Sequence, residues 1–98
     1  MKESMFKALA DPTRRRIVRM LNGHELSAGE IARQFDISAP SISHHLAILR
    51  EASLVTARRE GQQIFYSLDT TVVQDFLATV MDLFALDTLE PRELKSEA

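Results

Sequence analysis

The sequence predicts a mainly α domain carrying one small β-hairpin, and three observations lead there. Five stretches repeat their apolar residues with a helical period, the stretch from residue 55 to residue 68 switches toward alternation around a glycine, and several helical stretches open on recognisable cap signals. Composition agrees. The 98 residues are 45% hydrophobic and 27% charged, with three glycines, three prolines and no cysteine, which is the profile of one compact domain rather than a linker-rich or disordered chain.

The first helix is expected from about Lys2 to Ala10, with Met5, Phe6 and Leu9 on one face. Asp11 then caps a second helix, because its carboxylate accepts orphan N–H groups while the fixed φ of Pro12 suits the first helical position. Ile17, Met20 and Leu21 form the inner stripe of that helix and Asn22-Gly23 end it. A third helix of barely nine residues begins at Ser27, where Ser27 and Glu30 stand at the spacing of a capping box, and it turns Ile31, Ala32 and Phe35 inward. Asp36-Ile37-Ser38 is a tight connection to a fourth helix, about Pro40 to Ala52, whose inner residues are Ile42, Leu46 and Leu49. Two short helices so briefly joined make a helix-turn-helix candidate.

Val55 to Arg59 and Gln63 to Leu68 read as two strands, with Glu60-Gly61-Gln62 as the turn between them. The last helix, about Asp69 to Leu86, carries Val72, Val73, Phe76, Leu77, Val80, Met81, Leu83, Phe84 and Leu86. So wide an apolar arc needs two partners, and a domain of this size has core enough for one, so a second subunit is the economical answer. Residues 1–86 thus form the domain, and 87–98, with Pro91 and mixed charges, are expected to be a flexible acidic tail.

Composition also bounds the chemistry. Without cysteine there is no disulfide scaffold, thiolate metal site, cysteine nucleophile or thiol sensor. No apolar run has the length of a signal peptide core or of a membrane span, so the expected location is the cytoplasm and no membrane partner is expected. The net charge of -2 conceals an asymmetry: residues 1–67 sum to +3 and residues 68–98 to -5. Local fields rather than the total decide whether phosphates are attracted.

The order of elements is that of a winged helix-turn-helix, and the chemistry to test is therefore DNA reading by the fourth helix. With Ile42, Leu46 and Leu49 inward, Ser43, His44 and Ala47 face outward. Ser43 and His44 can hydrogen-bond base edges, while Ser41 and the helix N-terminal N–H groups can hold a phosphate. A merely solvated face is the competing reading, and the fold pattern favours DNA. Arg58, Arg59, Gln62 and Gln63 surround the hairpin turn, where charge and amide groups suit a neighbouring backbone or minor groove. Adjacent strand residues point to opposite faces, so at most one of the two arginines inserts. Of Arg14, Arg15, Arg16 and Arg19, one or two are expected to reach phosphate and the others to form ion pairs, for instance with Asp11 or Glu25.

Two other chemistries fare worse. His44 and His45 point about 100° apart on a helix and cannot by themselves hold one ion, so His45 reads better as a partly buried hydrogen-bonding residue. Asp69, Asp75, Asp82 and Asp87 offer at best a weak oxygen-ligand site across a dimer, and solvated carboxylates are the better reading. No nucleophile elbow, phosphate-binding glycine loop or pair of converging carboxylates is present, so no enzyme, catalytic residue, metal or cofactor is expected.

The segments from Lys7 to Ile17, Ser41 to Leu46 and Gly61 to Leu68 carry a resemblance. In them the chain resembles the ArsR/SmtB family of bacterial winged-helix repressors over about residues 5 to 86. The resemblance implies a homodimer built on the first and last helices, expected here to use Met5, Phe6, Leu9, Phe76, Val80, Leu83 and Phe84. It implies repression at an imperfect inverted repeat in the chain's own or a neighbouring promoter. By position, Ser43 and His44 match the family's base-contacting pair, Ala39, Pro40 and Ser41 fall where its members meet DNA, and Arg58, Arg59 and Gln62 fall on the wing. The cysteine-bearing motif of the family's metal sensors is replaced here by Glu30-Ile31-Ala32-Arg33-Gln34, and the last helix has no histidine, which places the chain beside the metal-free, SdpR-like branch. An effector or protein antagonist is compatible with this reading but not identified by it. The competing functions are a metal-responsive regulator using oxygen ligands on the last helix, and a protein-interaction module that has lost DNA binding.

Overall fold

The computed structural model describes residues 2–85. The elements run α1 (Lys2–Leu9), α2 (Pro12–Met20), β1 (Leu26–Ser27), α3 (Ala28–Ala32), α4 (Ala39–Glu51), β2 (Val55–Glu60), β3 (Gln63–Leu68) and α5 (Thr70–Leu83). Leu86 and the tail expected over 87–98 lie outside the described residues.

Local chemistry sets most boundaries. The Asp11 carboxylate accepts the Arg14 N–H at 3.0 Å and Pro12 opens α2, as the sequence requires. The Ser27 hydroxyl accepts the Glu30 N–H at 3.1 Å while the Glu30 carboxylate accepts the Ser27 N–H at 2.8 Å, a complete capping box. Yet α3 is only five residues long rather than the nine expected, because the chain passes into a turn at Arg33 and Gln34. Ser38 caps α4. At its other end Ser53 takes a left-handed φ of 64°, with Ser53 N–H donating to the Arg50 carbonyl and Leu54 N–H to the Leu49 carbonyl, a Schellman turn that drops Leu54 into the core.

The hairpin forms with register Arg58 opposite Phe65 and Glu60 opposite Gln63, closed by Gly61 at φ +63°. The sheet has three strands, however, not two: β1 pairs antiparallel with β3, Leu26 opposite Tyr66 and Ser27 opposite Phe65, giving the order β1-β3-β2. A two-residue strand has no period for the sequence to display.

Ile17, Leu21, Ile31, Ile42, Leu46, Leu49, Leu54 and Val55 close one core between the helices and the base of the hairpin. The final helix joins it through Val72, Val73 and Phe76. Its outer apolar surface is uncovered: Leu77, Met81, Leu83 and Phe84 are exposed, as is Phe6 of α1, whose ring meets Phe76 edge-on at 5.0 Å. Of the residues expected at a dimer contact, Leu9, Phe76 and Val80 are half-buried and Phe6, Leu83 and Phe84 exposed. Met5 departs from that expectation. At 3% exposure it is spent on the chain's own core with Ala8, because α1 packs on α2 and α4 by the Met5 and Ala8 side.

Candidate nucleic-acid interface

The fourth helix is fixed from below and open above. Ile42, Leu46 and Leu49 are buried, while Ala39, Pro40, Ser41, Ser43, His44 and Ala47 are all exposed, and all but Ala47 lie in its first two turns. Ser38 Oγ accepts the Ser41 N–H at 3.3 Å and lies 2.9 Å from Ser41 Oγ, so the N-terminal turn is organised by a pair of hydroxyls. A surface of small, hydrogen-bonding side chains at the positive end of a helix suits phosphate positioning and base-edge contact together.

In the hairpin, the structure separates the two arginines that the sequence left equivalent. Arg58 lies on the same sheet face as Phe65, its guanidinium 4.9 Å from the ring centroid, and donates to Glu25 at 2.7 and 3.2 Å and to Glu60. The Arg58 hydrogen bonds hold the Glu25 carboxyl below the usual range, and the two carboxylates raise Arg58 in return. Arg58 therefore departs from the expectation that it offers its charge outward. Arg59, on the opposite face and across from Ile64, is exposed, and its side chain makes no hydrogen bond or ion pair among the described residues. Gln62 is exposed at the turn beside Gly61.

The basic cluster of α2 also differs from expectation. Arg15 donates to the Leu9 carbonyl at 2.9 Å, and Arg16 donates to the Gln34 carbonyl and lies 4.4 Å from the Phe35 ring centroid. Arg14 sends its side chain to the Ala8 and Lys7 carbonyls and to His45 on α4. The pairings expected with Asp11 or Glu25 give way to backbone carbonyls, which satisfy the last turn of α1. Of the four, only the Arg19 side chain makes no hydrogen bond or ion pair among the described residues.

On α5, Asp69 is engaged as the N-cap, accepting the Val72 N–H at 3.1 Å. Asp87 lies outside the described residues. Among the described residues no three histidine, aspartate or glutamate side chains converge as a metal site, and no helix is long and apolar enough to cross a membrane.

Comparison with known proteins follows this geometry. Residues 11–57, from the α2 cap into β2, match the family model described as bacterial regulatory protein, arsR family. The transcriptional repressor SdpR of Bacillus subtilis is 56% identical over 72 residues, 74% of this chain and 80% of that protein. The transcriptional activator HlyU of Vibrio cholerae is 38% identical over 80 residues, 82% of this chain and 74% of that one. The solved ArsR-like transcriptional regulator from Rhodococcus sp. RHA1 superposes with a TM-score of 0.77 at 28% identity, over 96% of this chain and 84% of its own. Capped reading helix, three-stranded wing and sequence likeness converge, and the chain belongs to the ArsR family of bacterial regulatory proteins.

Proposed function

We propose that the chain is a DNA-binding transcriptional repressor that acts in the cytoplasm as a homodimer on an inverted-repeat operator, regulating by binding and without a chemical step. The observation that carries this reading is the exposed, serine-capped face of α4, with Ser43 and His44 outward over a fully buried apolar stripe. In the proposed complex α4 enters the major groove. Ser43 and His44 meet base edges, and Ala39, Pro40 and Ser41 lie against the backbone at the helix start. Arg59 and Gln62 reach the flanking backbone or minor groove, Arg59 being the wing cation not engaged by a carboxylate. The uncovered faces of α1 and α5, Phe6, Leu77, Met81, Leu83 and Phe84, meet their two-fold copies and set the two reading helices about 34 Å apart, one turn of B-DNA. SdpR, a named repressor, supports the sign of regulation.

A footprint on the DNA upstream of its own coding sequence tests the reading directly. Protection is expected over two half-sites, and His44→Ala is expected to weaken that binding by about 1–3 kcal/mol. Unchanged affinity of the variant in a shift assay removes His44 from base reading.

A further inference from the structure

The Arg14 side chain hydrogen-bonds both the end of α1 and the recognition helix, and it reaches the latter through a nitrogen that can bind a proton. Its Nε donates to the Ala8 carbonyl at 2.7 Å and its Nη2 to the Lys7 carbonyl at 3.3 Å, while Nη1 lies 3.1 Å from Nδ1 of His45. A guanidinium has five N–H donors and no acceptor. His45 Nδ1 must therefore supply the lone pair, which places the ring proton on Nε2 and requires a neutral imidazole. His45 is 17% exposed and is flanked in sequence by His44 on the outer face and Leu46 in the core.

The other charged and titratable groups around the ring come from three helices. Asp11 of α2 has Oδ2 at 3.8 Å from the same Nδ1, and that oxygen also accepts the capping N–H of Arg14. His44 of α4 stands with its ring centroid 6.1 Å from that of His45. Lys7 of α1 and Glu51 of α4 line the cleft beside Arg14. Protonating Nδ1 sets one donor against another at the Arg14 contact and makes Asp11 the better partner. The ring is then drawn from the Arg14 fork toward the α2 cap.

We propose that Arg14 and His45 are positioning residues for DNA reading: the Arg14 fork fixes the attitude of α4 through the unprotonated Nδ1 of His45, and protonation of that nitrogen releases α4. This rests on the reading of α4 as the helix that meets DNA. Imidazole is the side chain whose charge ordinarily changes between about pH 5 and 8, so mild acid is the natural perturbation. The sign is diagnostic. Added positive charge on histidines strengthens phosphate attraction, so electrostatics alone make binding tighter as pH falls, whereas loss of the clamp makes it weaker.

The test measures affinity for a duplex that the protein itself selects from a random-sequence pool, at constant ionic strength from about pH 7.5 to about pH 5.5. The wild type is expected to lose about tenfold over that range, near the low end of what coupling between two sites delivers. In His45→Asn the side-chain oxygen replaces Nδ1 as acceptor but does not titrate, so binding at the upper pH is expected within about threefold of wild type and the acid-induced loss disappears. Arg14→Lys, which keeps the charge without the fork, is expected to bind weakly at both ends. Nitrogen-15 spectra of the wild-type His45 ring are expected to show Nδ1 unprotonated at the upper pH. An Nδ1–H tautomer there, or a His45→Asn profile that follows the wild type, overturns the proposal even if a variant folds poorly. Ser43→Ala and His44→Ala together separate the two readings: if both bind as the wild type does, the assignment of α4 to base reading fails, while the ring spectra still judge the clamp.

Discussion

The uncovered face of α5 gives the sharpest quantitative prediction. Leu77 is 54% exposed, and full burial of a leucine side chain is worth about 2–3 kcal/mol, so about 1 kcal/mol is still to be gained when a second subunit covers it. A two-fold interface uses each residue twice. Leu77→Ala is therefore expected to weaken dimerisation by about 2 kcal/mol, which raises the dimer dissociation constant about 30-fold. Sedimentation across a dilution series reads this directly, and the operator-binding midpoint is expected to move with it. Ile37, at 43% exposure in the turn before α4, supplies an internal control, because Ile37→Ala removes comparable exposed apolar surface away from the proposed contact. If Leu77→Ala and Ile37→Ala leave the same dimer constant, the α5 face is not the interface and the reasoning fails.

Other predictions concern the wing, acid and a helix end. Arg59→Ala is expected to lower the slope of log affinity against log salt by about one, while Arg58→Ala leaves it nearly unchanged because Glu25 and Glu60 already engage that charge; equal slopes for the two variants reject the distinction. The carboxyls of Asp11, Glu25 and Glu30 all lie below their ordinary values of 3.8, 4.5 and 4.5, held there chiefly by the Arg14 N–H, the Arg58 side chain and the Ser27 N–H. Depressed carboxyls stabilise the fold above their unfolded values and lose that contribution as pH falls through the folded ones. Urea midpoints are thus expected to fall below about pH 4.5, and less steeply in Asp11→Asn; a midpoint constant to about pH 3 contradicts the assignment. Ser53→Gly relieves a left-handed non-glycine and is expected to stabilise by about 0.5–1 kcal/mol, seen as a melting temperature raised by a few degrees.

Local signals made most of this fold legible. Asp11-Pro12, Ser27 with Glu30, and Gly61 each act within a few residues of themselves, so the starts of α2 and α3 and the hairpin turn follow from the sequence. What stayed illegible depends on distant partners. Alternation along β2 shows that Arg58 and Arg59 face apart, but only the approach of Glu25, 33 residues earlier, reveals which is engaged. Arg14 gives no sequence signal for its role because two of its three side-chain partners are backbone carbonyls, which every residue possesses. Met5 and Phe6 are neighbours on an eight-residue helix, and a helical wheel gives the angle between them without saying which side meets the core.

The two-residue strand β1 also has a mechanical consequence. Ser27 ends that strand and at the same time caps α3, so the root of the hairpin is bolted at Tyr66 and Phe65 to the first helix of the reading unit. Only the outer end of the hairpin, from Arg59 to Ile64, is cantilevered beyond that bolt. In the proposed complex the span from His44 to Arg59 is then a fixed gauge rather than a flexible reach. An operator lengthened by one base pair between its half-site and its flank should keep the groove contacts of α4 and forfeit those of the wing.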